Sequence, residues 1–343
     1  MKIYCDASNM HTGGGRTLIL DLIDSTYNFE DKTFIIFVDK RLVIEKFNIK
    51  NVKLIQVNKF LRLFISFYLI FKTHSNDCVI YLGNIPPIFS CKCYTILYMG
   101  NRYLIDWVST SKFNIKSRIR INIERVLFYL FHNNVNKIIV QSKSMHNILK
   151  KRIKNISKCY IYPFVSNDLI REKTIIKTKK YDFIYIASDE PHKNHINLID
   201  SWINLSKENY YPSLCLVLPI GSFLIEVIKK IKDKNAFINI TIKHDLNREE
   251  ITSILKSSRA LIFPSYFESF GLPIVEAMSC DIDIVASEKD FVRDLVDPSE
   301  TFDPSSLYSI SRAVKRYLSI DDLKTKVNRT TDFISFILKK NNE

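Results

Sequence analysis

The stretch Pro264–Met278, PSYFESFGLPIVEAM, decides the fold class of this chain. It follows Ala260–Phe263, an apolar run with the residue types of a buried strand. Pro273 favours a helix start, because its missing N–H would be unpaired at that position anyway. Gly271, just before it, allows backbone conformations that a Cβ would forbid. The stretch therefore predicts a strand, a tight turn and a helix that begins at Pro273.

Two glutamates, Glu268 and Glu276, flank this turn at a spacing of eight residues. The N-terminus of the predicted helix offers free N–H groups and a partial positive charge, which favour a phosphate. Carboxylates accept hydrogen bonds in pairs, so both acids suit sugar hydroxyls on either side of a diphosphate. The alternative is a helix-capping acid and an exposed one, since acids are common in the first turn of helices.

The alternation of strand and helix patterns continues outward from this stretch in both directions. In the first half the predicted strands and helices are Lys2–Cys5, Thr17–Ser25, Thr33–Val38, Val52–Val57, Leu61–Lys72, Cys78–Leu82, Tyr94–Tyr98, Ser117–Phe131, Lys137–Val140 and Ser144–Arg152. In the second half they are Phe183–Ala187, His195–Leu205, Leu214–Leu218, Phe223–Ile231, Phe237–Ile242, Arg248–Ser257, Ala260–Phe263, Pro273–Ser279 and Ile282–Ala286. This order predicts an α/β fold with two doubly wound parallel-sheet domains that face a cleft.

The domain boundary is predicted within Tyr162–Lys180, which mixes proline, an Asn-Asp pair and a Lys/Thr-rich run typical of a linker. We expect an N-terminal domain over residues 1–165 and a C-terminal domain over 166–320, each near the usual domain size. Residues 321–343 would form a C-terminal helix that could pack back on the N-terminal domain.

Composition further limits the class of protein to which this chain can belong. The 46% apolar content indicates packed cores, and the seven cysteines show no paired CxxC spacing, which fits reduced thiols. No secretory signal is visible at the start, and the apolar run Leu63–Phe71 is too short for a bilayer that needs about 20 residues. The seven histidines have no metal-ligand spacing, so no metal site is expected.

Charge separates the two halves. Residues 1–170 contain 25 Lys+Arg against 11 Asp+Glu, whereas residues 171–343 contain 25 of each, so the net charge of +14 lies in the first half. This excess of positive charge indicates either an ordinary solvated surface or a surface that binds an anionic partner, such as a membrane or a lipid-linked phosphate. Nucleic acid is not expected, because no nucleic-acid-binding motif accompanies the charge.

Two other segments suit a phosphate ligand. Lys193, in Ser188–His195, falls at a predicted helix start, where a cation is unfavourable by about 0.3–1 kcal/mol unless an anion is close. Gly13, Gly14 and Gly15 use three of the seven glycines between the first strand and a helix, as a ligand-approaching loop would. A solvated lysine and a plain flexible turn are the respective alternatives.

The segment SYFESFGLPIVEAM resembles the E-x7-E signature of retaining GT-B glycosyltransferases of family 4, and the similarity extends over both domains. The resemblance implies that Glu268 contacts the transferred sugar and Glu276 the nucleotide ribose. It assigns Lys193 to the diphosphate and the glycine loop, followed by Arg16, to closure over the donor. The donor-binding turn would comprise Ser269, Phe270, Gly271 and Leu272.

This chain departs from the family pattern at three places. Ser188 stands where the family usually has an arginine, so either Lys243 or a first-domain basic residue supplies the second cation, or the phosphate is neutralised less well. Asn101 follows a strand where a His-Asp pair is usual, which makes it or Arg102 a candidate catalytic donor. Asp281 and Asp283 replace the usual Gly and Pro, and acids close to a diphosphate would repel it unless they face solvent.

The resulting hypothesis is a metal-independent retaining glycosyltransferase without a cofactor, which uses a nucleotide-diphosphate sugar as donor. The acceptor would be a saccharide linked to a lipid diphosphate, in O-antigen or capsule synthesis, at the cytoplasmic face of the plasma membrane. A sugar-nucleotide epimerase, a phosphorylase or a non-catalytic nucleotide-sugar-binding protein on the same fold are the alternatives.

Overall fold

The computed structural model describes residues 1–11, 13–42, 50–58, 61–111, 113–153, 156–165, 179–234, 237–244 and 246–320. Most of the predicted linker, residues 166–178, and the predicted C-terminal helix, residues 321–343, lie outside these ranges. The described residues form two parallel sheets with helices packed on them, which confirms the predicted architecture.

The first sheet precedes the linker. Its strands are β1 (Lys2–Ala7), β2 (Thr33–Asp39), β3 (Val52–Val57), β4 (Cys78–Tyr81), β5 (Tyr94–Met99), β6 (Lys137–Val140) and β7 (Cys159–Ile161). Its helices are α1 (Gly13–Ser25), α2 (Ile65–Lys72), α3 (Ile115–Phe131) and α4 (Lys143–Lys150). The strands pair in parallel in the order β3-β2-β1-β4-β5-β6-β7, so the winding direction reverses between β1 and β4.

Each face of this sheet carries its own apolar core. On one face α1 contributes Leu18, Ile19 and Ile23. On the other face α2, α3 and α4 share a cluster that includes Leu69, Phe128 and Leu149. Helices α2, α3 and α4 therefore lie on the same face of the sheet.

The second sheet follows the linker. Its strands are β8 (Tyr181–Ile186), β9 (Leu214–Val217), β10 (Ile240–Lys243), β11 (Ser258–Phe263), β12 (Asp283–Ser287) and β13 (Glu300–Phe302). Its helices are α5 (His195–Lys207), α6 (Phe223–Lys234), α7 (Arg248–Lys256), α8 (Leu272–Ser279), α9 (Asp290–Arg293) and α10 (Leu307–Tyr317). The order is β10-β9-β8-β11-β12-β13, so the switch point lies between β8 and β11. One continuous apolar cluster runs through this domain.

The sequence patterns missed four elements, β7, β13, α9 and α10. Both strands have three residues, too few to show a periodic pattern, and α9 has a single turn. The strand predicted over Phe237–Ile242 is Ile240–Lys243 instead.

The two domains meet through polar contacts at the carboxyl ends of their strands. Arg102, which follows β5, is buried and places Nη2 2.9 Å from Asp290 Oδ2 at the start of α9. Ser144 of α4 donates its N–H to Asp294 Oδ2 at 2.8 Å. Because both sheets present their strand ends to this boundary, the crevices of the two switch points face each other.

Candidate active site

The turn at Gly271 has a geometry that requires glycine. Gly271 adopts φ of +90°, and a Cβ there would lie 3.2 Å from Ile274 Cδ1. Helix α8 then begins at Leu272, with Pro273 at its second position, one residue before the predicted start. Because β11 ends just before this turn, the N-terminus of α8 lies at the switch point of the second sheet, where α/β domains bind ligands.

Lys193 and Glu268 form an ion pair at this switch point. Lys193 Nζ lies 2.7 Å from Oε1 and 2.9 Å from Oε2 of Glu268. Only 17% of the lysine side chain and 11% of the glutamate side chain are exposed. The structure thus brings together the residue predicted to bind the diphosphate and the residue predicted to contact the transferred sugar.

Backbone contacts hold Lys193 in place. It ends a 3-10 turn, Pro191–Lys193, and α5 begins at His195 as the predicted helix bounds had it, so Lys193 lies two residues before the helix rather than in its first turn. Tyr185 Oη donates to the Lys193 carbonyl at 2.8 Å. Asn194 takes a left-handed φ of +62° and its side chain donates to the Pro264 carbonyl at 3.0 Å. This arrangement ties the lysine to the strand that leads to Glu268.

Tyr103 of the first domain packs against the aromatic neighbours of the ion pair in the chain. The Tyr103 ring lies 4.4 Å from the Phe267 ring and 5.7 Å from the His192 ring, centroid to centroid. Burial lowers the pKa of His192, and its Nδ1 is buried with no hydrogen-bond partner among the described residues. This contact could not be predicted from the sequence, because it joins side chains from two domains.

Glu276 lies on α8 in a mostly buried position. Burial raises the pKa of its carboxyl to about 7, while the charge of Arg248 lowers this pKa and that of Asp21 raises it. Arg248 begins α7, and its Nη1 lies 2.7 Å from Oδ1 of Asp21 on α1. Neither Asp21 nor Arg248 was predicted from the sequence, in which both resemble ordinary helix-surface residues.

The three glycines of the first domain do not form the predicted loop. Helix α1 begins at Gly13, so Gly13, Gly14 and Gly15 make its first turn. A Cβ at Gly14 would meet nothing within 4 Å, and one at Gly15 would approach Met10 at 3.6 Å. Arg16 is exposed on the same turn. The resemblance-based placement of these residues over a donor remains a prediction.

Asn101 and Ser269 have structural contacts at the domain boundary. The Asn101 side chain accepts the N–H of Tyr103 at 3.0 Å and so caps a short 3-10 helix. Ser269 Oγ accepts the N–H of Arg102 at 2.9 Å. Asn101 is therefore close to the turn after Glu268, as a catalytic candidate should be, but its side-chain oxygen is already engaged. Phe270 is buried at this turn and Leu272 partly buried.

The structure also describes Ser188, Asp281 and Asp283, where the chain departs from the family pattern. The Ser188 carbonyl lies 2.8 Å from His195 Nε2, and Lys243 ends β10, two strands or about 10 Å from β8. Asp281 and Asp283 are both exposed, and the Asp283 carboxylate accepts from Tyr317 Oη at 2.9 Å. Asp283 begins β12, so it lies at the edge opposite to the switch-point crevice and does not repel an anion there.

Solved structures with the same arrangement of two domains exist. HepE of Anabaena in complex with UDP and glucose is 15% identical, with a TM-score of 0.63 over 93% of this chain and 90% of its own. Sucrose-phosphate synthase from Thermosynechococcus elongatus is 13% identical, with a TM-score of 0.69 over the same shares. The fold is GT-B.

The second GT-B domain also matches a family model. Residues 166–331 match the model of glycosyl transferases group 1. O-antigen chain mannosyltransferase B of Escherichia coli is 26% identical over 140 residues, and O-antigen chain mannosyltransferase RfbU of Salmonella typhimurium is 23% identical over 162 residues. These matches cover 40% and 46% of this chain but only 37% and 44% of those relatives. Together they support a GT-B glycosyltransferase.

A cavity of about 740 Å³ opens between the two domains; its lining includes Asn194, the residue after Lys193, but neither Lys193 nor Glu268. The first domain contributes residues from the start of α3, and the second contributes the segment 189–197 and the start of α6. Phe113, Phe223 and Tyr266 supply aromatic surface, while Asn114 and Glu190 supply polar groups. Aromatic faces combined with carboxylates and amides suit a saccharide.

Neither a metal cluster nor a membrane span appears in the part of the chain that the structure describes. No three His, Cys, Asp or Glu side chains there are grouped to hold a metal ion. No helix among those residues combines the length and the apolar character needed to cross a bilayer.

Proposed function

We propose that this protein is a retaining glycosyltransferase that moves a sugar from a nucleotide-diphosphate sugar to a saccharide acceptor. The contact that carries the proposal is the Lys193–Glu268 ion pair at the switch point of the second sheet. A diphosphate competes with the glutamate for the lysine, and the released carboxylate is then available to accept sugar hydroxyls. The family match over residues 166–331 supports the same class of reaction.

The donor would lie along the α8 turn. Its diphosphate binds at the N-terminus of α8 beside Lys193, the transferred sugar contacts Glu268, and the ribose contacts Glu276. Negative charge develops on the leaving diphosphate in the transition state, and a fixed cation together with free helix N–H groups stabilises it. We propose that these groups, rather than a divalent metal, perform this role; undiminished turnover in excess EDTA supports this, and restoration of lost turnover by Mg²⁺ contradicts it.

Retention follows from attack on the face that the leaving group vacates. The acceptor oxygen forms its bond to the anomeric carbon as the bond to the diphosphate oxygen breaks, and the hydroxyl proton passes to that oxygen. The Glu268 carboxylate, released from Lys193 by the diphosphate, is assigned to the sugar hydroxyls, so it is not needed as a nucleophile. The anomeric configuration of the product, read by NMR, tests this step directly.

The acceptor would enter through the 740 Å³ cavity between the domains, which approaches the ion pair through Asn194. We propose a saccharide carried on a lipid diphosphate, in the synthesis of a surface polysaccharide. The two curated relatives are O-antigen mannosyltransferases, which makes mannose the first sugar to test.

A lipid-linked acceptor requires contact with a membrane, and the first domain has a surface suited to one. Helix α3 exposes Ile115, Ile119, Ile123, Val126 and Leu130 along one face. The segment from Leu61 to the end of α2 exposes Phe64, Phe67, Tyr68 and Phe71. Burial raises the pKa of Glu124 on α3, and the charges of Arg120 and Arg62 lower it, so Arg62 lies within electrostatic range of α3. We call the two exposed rows together the α2–α3 face. Lys116, Arg118 and Arg120 are exposed beside it and would attract an anionic leaflet, at about 1 kcal/mol each.

The decisive experiment combines binding and turnover. Thermal shifts with UDP, GDP, ADP and CMP should identify one stabilising nucleotide, because binding adds RT ln(1 + [L]/Kd) to the folded state. The corresponding sugar donor, with GDP-mannose and UDP-glucose as first probes, should then release nucleotide faster with a saccharide acceptor present. Conversion of the donor alone into another sugar nucleotide would indicate an epimerase, and dependence on phosphate a phosphorylase. Binding without turnover would indicate a non-catalytic protein.

Membrane contact is tested separately by vesicle co-sedimentation. We expect binding to vesicles with phosphatidylglycerol that weakens as salt rises, since surface charge attraction is screened. Equal binding to neutral and anionic vesicles would contradict the proposed role of the basic residues.

A further inference from the structure

Three ionisable side chains converge where the two domains meet beside α8. Asp21 comes from α1 of the first domain, Arg248 from the start of α7 and Glu276 from α8. The bond between Arg248 Nη1 and Asp21 Oδ1, at 2.7 Å, crosses the domain boundary. Burial raises the pKa of Glu276, the charge of Arg248 lowers it and that of Asp21 raises it, so Glu276 lies within electrostatic range of the pair.

This cluster has hydrogen-bonding capacity that the protein does not use. Asp21 Oδ2 and Arg248 Nη2 are both buried and have no partner among the described residues. The Glu276 carboxylate likewise accepts no hydrogen bond from that part of the chain. A buried polar atom without a partner costs about 1–3 kcal/mol, so two in one contact point to a ligand that satisfies them.

The donor and acceptor pattern restricts the ligand. Two carboxylates accept hydrogen bonds, and one guanidinium nitrogen donates. A phosphate has the wrong charge for two carboxylates, whereas a vicinal diol has two O–H donors and oxygen lone pairs that accept an N–H. A vicinal diol has enough donors and acceptors to pair with both carboxylates and with the arginine N–H.

We propose that Asp21 and Glu276 hold the vicinal diol of the donor ribose between them and that Arg248 Nη2 donates to one of its oxygens. The proposal rests on the proposed function, since it takes the ligand to be a nucleotide. It adds a ribose contact from the first domain to the one expected from Glu276. The nucleotide then bridges the domains, and binding favours the arrangement in which Asp21 and Arg248 meet.

The test compares a nucleoside diphosphate with its 2′-deoxy and 3′-deoxy forms by calorimetry, using the base that binds wild-type protein. Wild type should prefer the ribonucleotide by about tenfold or more over each deoxy form, since a hydrogen bond to a charged group is typically worth at least that factor. Asp21→Ala should bind the ribonucleotide more weakly and lose its preference over one deoxy form while keeping the other. Asp21→Asn, which keeps the shape and one acceptor oxygen, should lose less.

The matched control is Asp24→Ala, because Asp24 is exposed on the same helix and its removal changes the net charge equally. It should bind all three nucleotides as wild type does. If Asp21→Ala weakens the ribonucleotide and both deoxy forms by the same factor, Asp21 only latches the domains and the diol proposal is wrong, while the proposed function stands. If wild type binds no nucleoside diphosphate, both proposals are overturned. Thermal midpoints measured for each variant exclude misfolding as the cause.

Discussion

The two domains share one architecture but differ in how much apolar surface each leaves exposed to solvent. The second domain has a single continuous core and equal numbers of acidic and basic residues after position 170. The first domain has a separate core on each face of its sheet, holds the whole net charge of +14, and exposes the row of large apolar side chains on the α2–α3 face.

This difference indicates a division of tasks. Burial of apolar surface is favourable by about 25 cal/mol per Å². An apolar face exposed to water therefore costs free energy, and a partner that covers the face removes this cost. The second domain instead concentrates its unusual features in the crevice, with the Lys193–Glu268 pair and the raised pKa of Glu276. Chemistry is therefore expected from one domain and attachment from the other, and each prediction below tests one side of that contrast.

The largest effect should come from Glu268 in the second domain. Glu268→Gln keeps the shape of the side chain but removes the charge that faces Lys193, and loss of one such group typically lowers kcat about 10²–10³-fold. Glu288→Gln, an exposed glutamate of the same domain, is the matched control and should leave turnover unchanged. Steady-state nucleotide release measures both. A wild-type rate for Glu268→Gln would remove the crevice from the mechanism.

Glu276 should give the second largest effect, on stability rather than rate. Burial raises its pKa from an ordinary 4.5 to about 7, so its contribution is fully present below pH 4.5 and is lost as the pH rises through 7. Glu276→Gln removes this loss, so at pH 8 the variant should be more stable than wild type by up to about 3 kcal/mol. At pH 5 the two should differ little.

Urea unfolding at pH 5, 6.5 and 8 measures the effect. The control Glu288→Gln should lower the free energy of unfolding instead. Arg293 lowers the pKa of Glu288, and the substitution removes that favourable contact. If Glu276→Gln is destabilised to the same extent at all three pH values, the carboxyl is not held in a buried, unpaired position.

The sequence was sufficient where a signal is local and long. The strand at Ala260–Phe263, the turn at Gly271 and the helix after it are adjacent in the chain, so residue type and spacing predicted their bounds within two residues. The Lys193–Glu268 pair joins residues 75 positions apart, and the Asp21–Arg248 contact joins residues 227 apart. Such contacts depend on how the domains pack. The residue type of an acid on a helix surface does not indicate which distant residue it will contact. The glycines at positions 13–15 show the converse error, since their composition suggests a loop although the chain continues as helix.

The attachment side of the contrast is tested on α3. Ile119→Asp combined with Ile123→Asp places two charges on the α2–α3 face, where both side chains are exposed, and should not disturb the core. Loss of two apolar contacts with lipid should lower partitioning into anionic vesicles about tenfold. Tyr308→Asp is the matched control, because Tyr308 is a large exposed side chain on α10 of the second domain.

Two outcomes would contradict this assignment. Equal loss for Tyr308→Asp would mean that charge alone, and not the face, governs binding. A large drop in thermal midpoint for the α3 variant, without loss of vesicle binding, would mean that another part of the chain, such as residues 321–343, or a second copy covers the face. Sedimentation velocity distinguishes the second copy, because the α3 variant would then be smaller than wild type.

The smallest effect, and the one that compares the domains most directly, concerns a glycine in each. Gly271→Ala forces a side chain into a left-handed conformation at 3.2 Å from Ile274, and it should destabilise the protein by about 1–3 kcal/mol. Gly14→Ala adds a methyl group to a helical turn with nothing within 4 Å, and it should stabilise by about 0.4–1 kcal/mol. Thermal unfolding separates the two signs. If Gly14→Ala gains stability while its KM for the donor rises, the first turn of α1 approaches the donor closely and its glycines are kept for access. If stability rises and KM is unchanged, the first turn of α1 has no contact with the donor.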